Sequence, residues 1–164
     1  MAEKRTDPIR PTDDDARDMA RDLLKKARHG ALGVLDPATG APQVTRIALA
    51  LGEDGLPVTL ISSLSGHTVA LRADPRCSLL VGEPGPRGDP LTHPRLTLHC
   101  VAEFVARDSA DHASLRALYL AQNPKAKLYI DFGDFTLVRL PVTEAFLNGG
   151  FGKAYRLTAA DLAL

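Results

Sequence analysis

The residues Leu60-Ile61-Ser62-Ser63-Leu64-Ser65-Gly66-His67-Thr68 hold the densest polar chemistry in the chain. A β-favouring run gives way there to hydroxyls, a glycine and a short helical pattern. The first turn of a helix leaves several N–H groups unpaired and carries partial positive charge, so it favours an anion. Ser62, Ser63, Ser65 and Thr68 add donors, and His67 adds charge when protonated. A turn at Gly52-Glu53-Asp54-Gly55 folds the chain back as a hairpin, and its register sets Arg46 near Ile61, at the mouth of the serine loop. A planar guanidinium beside exposed N–H groups suits a phosphate. The same residues also suit a plainer reading, a serine-rich loop that caps its own helix beside a solvated arginine.

Other reactive side chains point less clearly to a site. His93, His99 and Cys100 can ligate metals, but His99 and Cys100 are adjacent and face opposite sides of a strand, which reads as a surface histidine and a core cysteine. Cys77 and Cys100 are too few for a disulfide framework and lack metal-knuckle spacing, so both read as reduced, small core residues and no metal site is expected. Asp131 and Asp134 bracket Gly133 as in a turn, and Gly149-Gly150-Phe151-Gly152 reads as a hairpin connection. No Ser-His-Asp signature, Walker loop or dinucleotide-binding glycine pattern occurs, and no side chain is singled out as acid, base or nucleophile.

The elements that must position these groups are mostly strands. Ala16, Met19, Ala20, Leu23, Leu24 and Ala27 form the apolar stripe of one helix, with Thr12 or Asp13 as cap and Gly30 as stop. Strands are expected over Ala31–Asp36, Gln43–Leu51, Leu56–Ser62, Arg76–Gly82, Arg95–Val105, Phe135–Leu140, Thr143–Leu147 and Ala154–Leu157. Short helices fit Gly66–Ala73, ended by Asp74-Pro75, and Ser109–Gln122; Thr158–Asp161 resembles the start of a capped helix. On Arg95–Val105 one face is apolar and the other, with Thr97, His99 and Val101, is mixed, as in a sheet with one covered face. Consecutive hairpins rather than β-α-β repeats predict a mainly β (α+β) fold, a small antiparallel barrel with flanking helices.

The chain has 164 residues, 45% hydrophobic and 24% charged, which suits one globular domain: a mobile arm over 1–13 and a folded unit over 14–164. Lys+Arg and Asp+Glu are 20 each, so no electrostatic pull toward nucleic acid or anionic lipid is expected. No apolar run reaches a membrane span and the N-terminus has no apolar signal core, which together with the reduced thiols predicts a cytoplasmic protein.

Val44-Thr45-Arg46-Ile47-Ala48-Leu49-Ala50 followed by the serine loop resembles the flavin-binding half of the pyridoxamine 5'-phosphate oxidase-like split barrels. The likeness is closer to the heme-utilisation (HugZ-type) branch. It rests on Leu60–Leu64, His67-Thr68, Ala73–Arg76, Ser78–Val81, Asp89–Leu91, Pro94–Leu98, Asp134-Phe135 and Gly149–Tyr155. The resemblance implies an FMN-binding split barrel that works as a homodimer, with FMN between subunits transferring electrons or hydride to a small-molecule substrate. Arg46 then matches the phosphate arginine and Ile47 lies against the ring system. Ile61, Ser62 and Ser63 match the strand end and its hydroxyls, His67 and Thr68 the two basic positions after it, and Arg95 a flavin-proximal glutamine. Where the oxidases carry a lysine five residues after the arginine, this chain has Leu51. Two other functions are compatible with the same fold. One is a heme-binding protein with His67, His93 or His99 as iron ligand, and the other is a non-catalytic dimeric module.

Overall fold

A computed structural model describes residues 7–164. Helix α1 (Asp14–Lys26) starts where the sequence provides a cap: the Asp13 carboxylate accepts from the Ala16 N–H at 2.8 Å. Its Ala16, Ala20 and Leu24 are buried, and Met19, Leu23 and Ala27 pack half-buried against the same core, as the apolar stripe predicts. Gly30 does not stop this helix. It lies within strand β2 (His29–Leu35), where a Cβ would stand 2.7 Å from Leu79 Cδ1 and 2.9 Å from the Leu80 carbonyl oxygen. Close packing, not helix termination, requires the glycine.

A short strand β1 (Ile9–Arg10) precedes the helix. After β2 come β3 (Pro42–Ala48), β4 (Ala50–Leu51), β5 (Pro57–Ser62), helix α2 (Gly66–Ala73), β6 (Arg76–Val81) and β7 (Arg95–Val101). The chain continues through β8 (Glu103–Phe104), helix α3 (His112–Gln122), β9 (Phe135–Arg139), β10 (Val142–Asn148) and β11 (Ala154–Leu157). A seven-stranded sheet has the order β1-β11-β10-β7-β6-β2-β3, and a four-stranded sheet the order β4-β5-β9-β8. Neighbours are antiparallel except β1 and β11. The fold is therefore the expected mostly β split barrel, two antiparallel sheets with helices beside them.

Two strands expected to be continuous change sheet instead. The run Gln43–Leu51 divides at buried Leu49, and Arg95–Val105 divides at buried Ala102. A strand that leaves its ladder must satisfy its backbone elsewhere. Here the Thr59 hydroxyl donates to the Ala48 carbonyl at 2.7 Å and Asn123 Nδ2 to that of Leu49 at 3.1 Å. The Gln122 amide exchanges two bonds with the Leu51 backbone, at 2.9 and 2.8 Å. Ala102 N donates to the Pro75 carbonyl at 2.8 Å. The Gly52–Gly55 hairpin keeps the expected register, with Ala50 opposite Val58 and Leu51 opposite Pro57. The pairing stops at Leu49, however: Arg46 pairs with Ala31 on β2, while Ile61 pairs with Thr136 on β9.

The larger core lies on the inner face of the seven-stranded sheet, under α1 and α2, and includes Leu32, Leu79, Leu96, Leu98 and Leu147. A second cluster, with Val58, Leu60, Leu115, Tyr119 and Leu137, joins the small sheet to α3. Helix α3 begins at His112 rather than Ser109, after a turn. Of the segment read as a mobile arm, residues 1–6 lie outside the described residues. Ile9 and Arg10 pair with Ala154 and Tyr155, and the Thr12 hydroxyl donates to the Arg156 carbonyl. Among the described residues no helix is long and apolar enough to cross a membrane.

The last turn is a 3-10 helix (Ala160–Leu162) held by a reciprocal cap: Thr158 N donates to the Asp161 carboxylate and Asp161 N to the Thr158 hydroxyl. Arg17 Nε adds a 2.7 Å bond from α1. The Thr158 N–H and then the Arg17 guanidinium hold the Asp161 carboxyl down to about 2. Its charge thus survives in the folded chain at pH values where the unfolded chain takes up the proton. Stability contributed above about pH 4 is then lost as the pH falls toward 2. Asp161→Asn should lower the melting temperature at neutral pH and flatten its acid-side slope; an equally steep slope in the variant would show that the carboxylate contributes nothing.

Candidate functional site

The serine loop folds as a compact cap onto its own neighbours. Ser62 Oγ donates to Asp134 Oδ2 at 2.5 Å and accepts from Leu64 N, while Ser63 N donates to the Asp134 carbonyl. Asp134 is thus part of a turn that clamps the loop, as its neighbourhood with Gly133 suggested. Its partner in sequence, Asp131, pairs with Arg116 at 2.5 Å. Ser65 stands at the N-cap of α2 but makes no side-chain cap bond. Thr45 Oγ1 lies 3.1 Å from His67 Nδ1, tying β3 to the first turn of α2. Burial lowers the His67 pKa, so its ring is neutral near pH 7 and adds no cationic charge. Thr68 is buried, and its Oγ1 has no hydrogen-bond partner. Ile47 and Ile61 are both core residues.

Arg46 lies elsewhere. Thr45 turns to the His67 side of β3, and its neighbour Arg46 therefore leaves on the opposite face. The structure brings Ser62, Ser63, His67 and Thr68 together and sets Arg46 and Arg95 on the outer face of the seven-stranded sheet. Arg95 Nη1 donates there to the Leu91 and His93 carbonyls. The outer face can be followed residue by residue, because directly opposed residues of antiparallel strands share a face. One row runs Arg46, Ala31, Leu80, Thr97, Phe146, Arg156. The next runs Val44, Gly33, Ser78, His99, Glu144.

This face carries an unusual load of exposed apolar side chains: Leu35, Val44, Leu80 and Val101. Between them lies an open groove of about 590 Å³, with Gly33, Leu35, Val44, Ser78, His99 and Val101 in its walls. Beneath it Cys77 and Cys100 face each other across β6 and β7 as free, buried thiols. The Cys77 thiol and burial together push the Cys100 thiol up, so it stays protonated and inert.

The histidines differ in what their ring nitrogens do. His93 uses both: Nδ1 accepts from Gly85 N at 3.0 Å and Nε2 lies 2.8 Å from the Arg87 carbonyl. It fastens the proline-rich loop over 83–94. His67 is tied to Thr45. His99 stands half exposed at the groove, its Nδ1 3.6 Å from Glu144 Oε2 and its ring tilted against Phe146 with centroids 5.0 Å apart. Arg156 grips the other oxygen of Glu144 through Nε and Nη2 and lies over the same Phe146 ring. His99 stands on the mixed face of its strand, as its position in the sequence predicts, whereas nothing in the local pattern singles out Glu144 and Arg156. Their only signal was a charged residue on the solvent side of each of two short strands. Among the described residues no group of three or more His, Cys, Asp or Glu side chains could hold a metal ion by itself.

Comparison with known proteins agrees with this fold. The family pattern of pyridoxamine 5'-phosphate oxidase matches residues 16–149. The chloroplastic heme oxygenase HOZ of Arabidopsis thaliana is 39% identical over 121 residues; these are 68% of this chain but 36% of that protein, so the chain spans about a third of it. The heme oxygenase HutZ of Vibrio cholerae is 31% identical over 131 residues, 76% of this chain and 72% of that protein. A solved heme binding protein from Mycobacterium smegmatis has a TM-score of 0.82 at 32% identity, over 94% of this chain and 61% of that one. A match across most of the chain, carried by the strands and loops that build the split barrel, places this protein in the pyridoxamine 5'-phosphate oxidase family, on its heme-utilisation side.

Proposed function

We propose that the chain binds heme on the outer face of its large sheet and serves in heme utilisation, paired through that face with a second copy of itself. The observation that carries this is the groove. Its volume of about 590 Å³ falls within the roughly 300–1,000 Å³ usual for cofactor sites, and apolar walls with a few polar groups suit a flat macrocycle. Relatives named as heme oxygenases and a heme binding protein of the same fold support the same ligand. Pairing would cover Leu35, Val44, Leu80 and Val101, which a lone chain leaves in water. When bound, heme supplies redox and oxygen chemistry at its iron, and the chain supplies binding, orientation and shielding from water.

The flavin reading draws on fewer of these features. Arg46 reaches the outer face, but the serine loop is on the other side of β3, and Ser62 is already committed to Asp134. Leu51 stands where the oxidases have a lysine. Titrating hemin into the purified chain should give a saturable Soret shift, and gel filtration should show two chains per particle. A flat titration rejects the heme reading. Yellow colour retained through desalting after incubation with FMN, with no hemin response, would return the assignment to a flavoprotein.

A further inference from the structure

We propose that His99 is the protein ligand to heme iron, held in place by Glu144 and Arg156; the assignment rests on the heme reading above. Of the described histidines in contact with a cleft, His99 alone combines a free ring nitrogen with a large apolar groove. His93 has both nitrogens engaged, and His67 is bonded to Thr45 and partly buried. His29 also meets a carboxylate, Glu83 at 3.7 Å, but the cleft beside it holds only about 210 Å³, below the roughly 300 Å³ lower end for a cofactor site. At His99 the Nδ1 side faces Glu144, while Nε2 has no protein partner among the described residues.

The neighbours of His99 have the chemistry of an iron site. Imidazole suits iron, and a ligating histidine usually turns its second ring nitrogen to a carboxylate, which sets the tautomer and raises ligand basicity. Glu144, whose Oε2 stands 3.6 Å from Nδ1, is within a small side-chain movement of that role. Its other oxygen is bound by Arg156, which holds it in place. Phe146 fixes the ring from the side. On the same row Gly33 and Ser78 are small, leaving the floor beside His99 low. Four adjacent strands thus deliver one ligand, its carboxylate partner and a shallow bed, on a rigid sheet rather than on a loop. Glu144 and Arg156 are positioning residues in this arrangement.

The test is hemin titration of the full chain and of the variants His99→Ala and Glu144→Gln, read by absorption, electron paramagnetic resonance and resonance Raman spectra. The wild type should show a histidine-ligated spectrum. His99→Ala should lose that signature and regain it on adding free imidazole. Glu144→Gln should keep the ligand but lower the iron–histidine stretching frequency and weaken affinity by about 10–100-fold, the range for loss of an outer-shell partner. His99 is half exposed, so an unchanged melting temperature confirms that the alanine variant is folded. Hemin bound with the same spectrum by wild type and His99→Ala overturns the ligand assignment and leaves heme binding standing. Failure of the wild type to bind hemin overturns both.

Discussion

Gly82→Ala should destabilise the fold by about 3 kcal/mol, adding roughly equal shares of backbone strain and overpacking. Gly82 directly follows β6 with φ +100°, a region that side-chain-bearing residues rarely adopt. A Cβ there would meet the Pro94 carbonyl oxygen at 2.7 Å and Arg95 Cα at 2.9 Å, with Leu23 Cδ2 at 3.3 Å behind them. The first two are backbone atoms at the start of β7, so neither can move without shifting the strand that carries His99. Gly40 provides the control. Its φ is +72°, but nothing lies within 4 Å of its Cβ position, so Gly40→Ala should cost only about 1 kcal/mol, from backbone strain alone. Urea unfolding would measure both, as a lower midpoint at unchanged m-value. Equal midpoints for the two variants would show that the contact at Gly82 relaxes freely.

Val44→Glu should abolish pairing of the chains without unfolding them. Val44 is 71% exposed on the outer face of edge strand β3, opposite Gly33, so a single chain tolerates the charge. In the proposed pair the same position is buried, and a desolvated carboxylate without a partner is opposed by several kcal/mol. A penalty of at least about 2 kcal/mol corresponds to roughly 30-fold in affinity. Sedimentation equilibrium should therefore give a monomer at concentrations where the wild type is a dimer, with the melting temperature of the dissociated chain preserved. Hemin affinity should fall in parallel, because Val44 also walls the groove. A dimer that survives the substitution would place the contact on another surface.

Local pattern carried much of the architecture. The stripe on α1, the cap at Asp13, helix α2 stopped by Asp74-Pro75, and the opposite faces of His99 and Cys100 follow from spacing and backbone chemistry within a few residues. The mostly β class and the split-barrel family were legible for the same reason, since hairpins and their turns are short-range signals. Gly30 was misread because a glycine after a basic helix end suits a helix stop as well as a crowded strand. Only the positions of Leu79 and Leu80 decide between them.

The site was less legible because its members meet through sheet register. The hairpin at Gly52–Gly55 forms in the register its turn predicts, but the strand is not continuous, and the turn of the chain at Leu49 gives Arg46 a different neighbour and a different face. His99 lies on a strand far in sequence from the two consecutive strands that carry Glu144 and Arg156. No spacing rule joins them until β7, β10 and β11 are aligned. The amino-acid order alone thus determined which segments become helices and strands and which side of each is apolar, because those depend on neighbours along the chain. Which polar side chains stand together, and on which side of the sheet, was decided only by tertiary pairing, because shifting a strand by one residue exchanges its two faces.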